Sequence, residues 1–398
     1  MSGDFRPLEG VRVIDLTSNM SGPLATMVLA EQGADVVKVE PPAGDLIRTV
    51  GTGRHGMSAY FANLNRGKRS IAVDLSVDAG AALVRRLAST ADVFVQNFRP
   101  GVVERLGLGP DVVMGANERL VYGSISGFGL DGPLATEPAY DHVVQALSGF
   151  AALQAAAGGE PDLVRQGAID KASAYTLAQA ITAALLQRTT TGRGARIDVS
   201  MLDVALAFIW PDGMMNNTCV GEVQVLPPVS RSFRTTPTAD GYVVLVTLTA
   251  KQWDGLVAAI LTEPDDDTGG DLSDTGARMS GGAEIMRAVR QRLRELPTDE
   301  VVRRLREADV PCAPVRGLDE LHLDEQIGAS RILEVVEHPI MGTIRQPGPA
   351  PLVDGARPAR GAPAAATGAH TREVLVEHGW SDAEVDALAA DGVVALTP

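Results

Sequence analysis

Aromatic residues make up only 4% of the 398 positions, so the hydrophobic 45% must build its core from Ala, Val, Leu and Ile. Cysteine is almost missing. Cys219 and Cys312 are too few for a disulfide framework, lack the spacing of a metal site and are expected to serve as packing residues. The six histidines are scattered, with no H-x-x-x-H or H-x-x-E-H, so no metal centre is expected. Positive charge is in deficit. A formal net charge of −15 argues against wholesale binding to nucleic acid or an anionic membrane, and an anionic ligand would need locally placed cations. No apolar run reaches the roughly 20 residues of a membrane helix. The polar start Met-Ser-Gly-Asp-Phe-Arg-Pro lacks the apolar stretch of a signal peptide. A soluble, reduced, cytoplasmic protein is the expectation.

Several nucleotide and hydrolase motifs are missing too. The first turn after a strand, Ser18–Ala25, has no G-x-G-x-x-G, and the G-x-x-x-G-x-G of Gly123–Gly129 is not that fingerprint. There is no G-x-x-x-x-G-K-[ST] and no G-x-S-x-G, which sets aside P-loop enzymes and ordinary α/β-hydrolases.

What is present is alternation. Short β-branched runs occur at Val11–Leu16, Asp35–Glu40, Ser70–Leu75, Val93–Phe98, Leu120–Ser126 and Arg196–Met201, with helical stretches such as Pro23–Gln32 and Ala81–Ala88 between them. This predicts an α/β domain with a mainly parallel sheet, whose ligands sit beyond the carboxyl ends of the strands. Lys171–Arg188 carries an apolar stripe at helical spacing and stops at the Gly of Thr-Gly-Arg-Gly, residues 191–194. Beyond Val220 the pattern changes to a smaller α+β region. It holds a turn at Ala239-Asp240-Gly241 with a strand within Thr236–Leu248, an acidic loop at Thr262–Gly276 and two helices in Glu284–Ala308. A Pro/Ala-rich strap, Pro347–Gly368, leads to helices near Thr371–His378 and Ser381–Ala389. The implied division is 1–215, 216–330 and 331–398.

Three sets of residues are candidates for chemistry. Asp170 stands just before the Lys171–Arg188 helix. There it can be an N-cap, an ionised nucleophile needing no general base, or both. Its ordinary pKa of about 3.9 makes it ready at pH 7. The cations of Asn65–Ser70, with Arg99 and Arg105, suit a phosphate or can be a solvated face. His142, in the loop after Tyr140-Asp141, is expected to be structural.

Taken in order along nearly the whole chain, certain stretches resemble the class III coenzyme A transferases. They are Leu8–Leu16, Gly33–Glu40, Asn65–Leu75, Asn97-Phe-Arg-Pro-Gly101, Ala139-Tyr-Asp141, Gln145-Ala-Leu-Ser-Gly149, Thr191–Gly194 and Gly368–Leu375. The resemblance implies that Asp170, in Gly167-Ala-Ile-Asp170, is the catalytic nucleophile. Coenzyme A would lie along Val73, Asp74, Leu75 and Ser76, along Asn97, Phe98 and Arg99, and against Arg105, with Met20, Ala139, Tyr140 and Asp141 nearby. Met20 and Pro41 stand where formyl-CoA transferase has a Gln and an Arg, and a Gly-rich loop of that enzyme has no counterpart before Tyr242, which speaks against oxalate. The implied architecture is a large Rossmann-like domain, a smaller α+β domain and a C-terminal segment returning to the first, in an interlocked, ring-like homodimer. The implied activity is coenzyme A transfer between an acyl-CoA and a carboxylic acid, without a metal or redox cofactor. Arg231 and Arg234 are candidate clamps for the acid. The alternative is an α-methylacyl-CoA racemase. That chemistry pairs a His with the aspartate and a Glu in the small domain. Tyr140 occupies the His position, and no Glu lies in Thr249–Trp253.

Overall fold

The computed structural model describes residues 5–155, 159–227, 229–261 and 285–397, apart from the side chains of 231 and 232. The chain divides into two compact units, Met1–Met214 with Ser330–Pro398, and Met215–Ala329.

Each of the six β-branched runs forms a strand. They are β1 (Arg12–Asp15), β2 (Asp35–Glu40), β3 (Lys68–Val73), β4 (Val93–Gln96), β5 (Val121–Ser126) and β6 (Arg196–Ser200). They pair in the order β3-β2-β1-β4-β5-β6, all parallel. A seventh strand at the edge, Val394–Ala395, runs antiparallel to β3. Parallel strands need helical crossovers, and the sequence supplies them. They are α1 (Ser21–Glu31), α2 (Ala59–Asn65), α3 (Asp78–Ala88), the short helices Val102–Arg105 and Pro110–Ala116, α4 (Asp141–Leu147) and α5 (Ala168–Thr191), and α6 (Met201–Gly213) follows β6.

Alternate side chains of each strand feed two cores. Val13, Val36, Val95, Val121 and Ile125 pack with Leu24 and Leu29 of α1, Phe61 of α2 and Leu177, Ile181 and Leu185 of α5. Ile14, Val37, Ile71, Phe94 and Tyr122 pack on the other face with Leu83 and Leu87 of α3 and with Val374, Leu375 and Trp380 near the C-terminus. The chain order reverses between β1 and β4, so the crevice at their carboxyl ends is the topological switch point of the sheet.

The C-terminal segment docks on β3. Gly368 N donates to Ser70 Oγ at 2.9 Å, and His370 N to the Ser70 carbonyl at 2.9 Å. A hairpin of Leu333–His338 and Gly342–Pro347, which the sequence reading did not contain, precedes the strap.

The second unit holds a three-stranded antiparallel sheet of Thr236–Pro237, Tyr242–Leu245 and Cys312–Pro314. Against it lie helices Ala250–Leu261, 285–293 and Thr298–Glu307, around Val243, Leu256, Leu293, Val301 and Leu305. Its turn is where the sequence put it, with Thr238 N bonded to the Gly241 carbonyl at 2.9 Å. The acidic loop Thr262–Gly276 lies outside the described residues. Among those described, no helix is long and apolar enough to cross a membrane.

Candidate active site

The loop from β1 to α1 is held from below by a buried ionic network. Asp15, fully buried, accepts from Thr17 N at 2.9 Å, Thr26 Oγ1 at 2.7 Å and Lys68 Nζ at 2.9 Å. Lys38 Nζ donates to the Thr17 carbonyl at 2.7 Å and to Asp45 at 3.1 Å. Burial alone would raise the Asp15 carboxyl, but Lys68 and Lys38 hold it below its ordinary range. Burial also pushes the Lys68 ammonium down to about 8 against the attraction of Asp15. A Cβ at Gly22 would lie 2.3 Å from that of Thr17, so only glycine lets α1 start this close to the loop. Asn97, at the end of β4, ties the crevice together. Its side chain accepts from Ser18 N at 2.9 Å and donates to the Ser18 carbonyl at 2.8 Å.

This arrangement corrects the reading of Asn65–Ser70 as a phosphate patch. Lys68 pairs with Asp15, Arg66 with Glu31, and Arg69 with Asp35, Glu373 and Glu377. The cluster opens β3 at its amino end, whereas the ligand edge of a parallel sheet is the carboxyl end.

Asp170 is not the N-cap of its helix. The helix begins at Ala168, so Asp170 is its third residue, and Gly167 in the cap position offers no side chain. The cap comes from another helix: Asp141 Oδ2 accepts the Asp170 N–H at 2.8 Å. Ala168 N and Lys171 N are also engaged, with the carbonyls of Gln166 and Gly167. The Asp170 carboxyl does not keep its ordinary pKa either. Burial first, and then the charge of Asp141, push it up to about 6. A hydrogen bond from Ser21, and the positive charge of His142 and Lys171, oppose the rise. It is still about nine-tenths ionised at pH 7.

Two clefts meet at this carboxylate. The narrower, about 100 Å³, is lined by Asn19, Asn97, Phe98, Arg99, Pro100, Ser126, Ala139, Tyr140 and Asp170, among others. The wider, about 380 Å³, is lined by Met20, Tyr60, Tyr140, Asp141, His142, Gln145, Arg165, Gly167 and Asp170, among others. Met20 comes so close that a Cβ at Gly167 would stand 2.6 Å from its sulfur. His142 is exposed on the wider cleft and stacks on Tyr140 at 6.2 Å, so it is not the structural histidine expected. Tyr60 was not singled out from the sequence. Burial first, and then Asp170 and Asp141, push its hydroxyl up to about 12, so it faces the carboxylates as a neutral donor.

Of the residues expected to hold coenzyme A, the clefts bring together Met20, Asn97, Phe98, Arg99, Ala139, Tyr140 and Asp141. The others stand apart. Val73 is buried in the core. Asp74 is occupied by Ser76, whose N–H and hydroxyl donate to it at 2.8 and 2.6 Å, and Leu75 is half-buried between them. These residues follow β3, three strands from β4 and so about 14 Å along the same edge. Arg105 is exposed near Gly101. Neither Arg99 nor Arg105 has an acidic partner among the described residues, which leaves both available to an anion. Cys312 is half-buried, but Cys219 is exposed and packs against no core. Arg234 is exposed, and the Arg231 side chain lies outside the described residues.

Comparison with known proteins gives this geometry a family context. The family model described as CoA-transferase family III matches residues 8–371. The human succinyl-CoA:glutarate CoA-transferase is 30% identical over 98% of this chain and 90% of its own length. The formyl-CoA:oxalate CoA-transferase of Streptomyces coelicolor is 31% identical over 98% and 99%. A crystal structure of a CAIB/BAIF family protein from Brucella suis superposes with a TM-score of 0.81 at 26% identity, over 95% of this chain and all of that one.

Proposed function

The chain belongs to CoA-transferase family III, and on that premise we propose that it moves coenzyme A from an acyl-CoA to a free carboxylic acid through a covalent thioester on Asp170. The observation that carries this reading is the position of Asp170. A mostly ionised carboxylate, half-buried, forms the wall shared by two clefts. A carboxylate there reaches a group held in either cleft and needs no base to remove a proton from it.

The steps balance without a further reagent. An oxygen of Asp170 attacks the thioester carbonyl of the donor, the carbon–sulfur bond breaks, and a mixed anhydride and a thiolate result. The thiolate attacks the aspartyl carbonyl, releasing the donor acid and leaving an aspartyl-CoA thioester. The acceptor carboxylate attacks that thioester, expels the thiolate and makes a second anhydride. Attack of the thiolate on its acyl carbonyl frees Asp170. Each step develops charge on a carbonyl oxygen. The N–H groups of Ala168, Asp170 and Lys171 are engaged, and the neutral hydroxyl of Tyr60 is one donor on this cleft that could serve that oxygen.

The narrower cleft, with Arg99 at its rim, suits the nucleotide-bearing thioester, and Arg105, Asp74 and Ser76 would meet its distal part along the sheet edge. The wider cleft suits the acid, with Arg165 as the cation facing it. In this reading 1–215 and 331–398 bind coenzyme A, and 216–330 is a separate, smaller domain. Two copies interlock, and Phe208 and Trp210, large apolar side chains left exposed on α6, are surface that a second copy covers. The compartment would be the cytoplasm.

One observation favours the racemase reading. His142 and Asp170 line the same cleft and so offer a pair of bases. A screen of carboxylic acids against acyl-CoA donors, run on wild type, Asp170→Ala and His142→Ala, separates the two. The transferase reading expects acyl exchange that Asp170→Ala abolishes and His142→Ala keeps. Exchange of the α-hydrogen that needs both residues, with no acyl exchange, would overturn it.

A further inference from the structure

The Gln145–Gly149 stretch contributes Gln145 to the cleft, and no role in the reaction has fallen to it. Gln145 is fully buried on α4, one turn after Asp141. Its side-chain nitrogen donates to Asp141 Oδ1 at 2.5 Å, to the Val164 carbonyl at 3.1 Å and to the Gln166 carbonyl at 3.3 Å. Its side-chain oxygen accepts from Val164 N at 2.9 Å. The other oxygen of Asp141 accepts the Asp170 N–H at 2.8 Å. One carboxamide thus fixes the segment entering α5 at residues 164 and 166 and orients the carboxylate that holds residue 170.

We infer that Gln145 and Asp141 form a clamp that positions Asp170 for attack and sustains its reactivity, with neither residue touching the reacting carbonyl. The inference rests on the transferase reading and deepens it. A carboxamide suits position 145, because its two N–H groups are shared among Asp141 and two carbonyls while its oxygen accepts from an N–H. A carboxylate could not donate and would set a second charge against Asp141. The charge of Asp141 matters as well as its shape. Asp170 is faced by Ser21 from α1, Tyr60 from α2, Asp141 and His142 from α4 and Lys171 from its own helix. Among these, Asp141 is the negative group. A carboxylate that is harder to keep ionised is a stronger nucleophile once ionised, so the clamp tunes the nucleophile as it places it.

The test uses the full-length enzyme with Gln145→Met, which keeps size and removes the hydrogen bonds, and Asp141→Asn, which keeps shape and removes the charge. Formation of the Asp170 adduct from an acyl-CoA is timed by quenching and trapping with hydroxylamine, beside steady-state rates across pH. For both variants the expected result is adduct formation slowed by about ten-fold or more, with KM for the acyl-CoA changed less than about two-fold. Asp141→Asn should also move the acid limb of the rate profile from near pH 6 toward the ordinary carboxylate value, without reaching it, because burial persists. A purely structural role would lower the melting temperature and leave that limb in place. Wild-type adduct rates in both variants, or an unmoved limb in Asp141→Asn, would overturn the clamp. Should Gln145→Met not fold, the isosteric Asp141→Asn decides alone. If wild type forms no adduct at Asp170, the transferase reading has failed instead, so the two failures are told apart.

Discussion

Replacing Lys68 by Met should damage the large unit far more than loss of a surface cation would. Lys68 Nζ donates to Asp15 Oδ2 at 2.9 Å, Asn65 Oδ1 at 2.8 Å and the Pro23 carbonyl at 2.8 Å, and both members of the ion pair are almost wholly buried. Methionine fills the space of the stem but satisfies none of these acceptors. The Asp15 carboxylate then keeps only Lys38 as a nearby cation. Breaking one side of a buried pair costs about 3–5 kcal/mol, because the partner charge is left uncompensated. An exposed pair contributes roughly 0–1 kcal/mol. With about 2–4 °C per kcal/mol for a unit of this size, the melting temperature should fall by roughly 10 °C. Chemical denaturation of Lys68→Met, Asp15→Leu and the double variant provides the measurement. The double variant should be less damaged than the sum of the singles, since removing both charges leaves no orphan. A loss under about 1 kcal/mol in Lys68→Met, or strict additivity, would refute the reasoning.

Four further outcomes are expected. Arg99→Ala should raise KM for acyl-CoA about three- to ten-fold, while Arg66→Ala, whose guanidinium belongs to Glu31, should leave it unchanged in the same assay. Tyr60→Phe should lower kcat about a hundred-fold with little effect on KM, measured by steady-state kinetics, if its hydroxyl serves the developing oxyanion. Gly22→Ala should cost about 1–3 kcal/mol in a melting experiment, because a Cβ there meets Thr17 at 2.3 Å. For pH, burial opposes but Arg48 and Lys38 hold Glu40 below its ordinary value, as Lys68 and Lys38 do for Asp15. The stability these pairs contribute is therefore present above the unfolded values, near pH 4, and is lost as pH falls through the folded ones. Denaturant midpoints should decline steeply below about pH 4, and between about 5 and 7 they should fall slightly as pH rises, because the raised Asp170 carboxyl binds its proton more tightly in the folded state than in the unfolded one.

Much of the large unit could be read from periodicity. Strands such as Asp35–Glu40 are buried along most of their length, and their crossovers carry a clear helical period. The hairpin Leu333–His338/Gly342–Pro347 could not, because Glu334, Glu337 and Arg345 interrupt its pattern. Asp170 was legible as a residue at a helix start but not in its surroundings. Its cap comes from Asp141, 29 positions away, and its raised pKa follows from burial that only packing reveals. Tyr60 and Gln145 were illegible as site residues for the same reason: both reach the cleft from helices whose relation to α5 is purely tertiary. The basic cluster misled because Glu31, Asp35 and Glu373, which neutralise it, lie elsewhere in the chain.

The most direct test of the central claim is to incubate the protein with an acyl-CoA, quench with hydroxylamine and map the product by mass spectrometry. A hydroxamate on Asp170 is expected, absent in Asp170→Ala and absent without acyl-CoA. An unmodified Asp170 together with solvent exchange at the α-carbon of a methylacyl-CoA would contradict it.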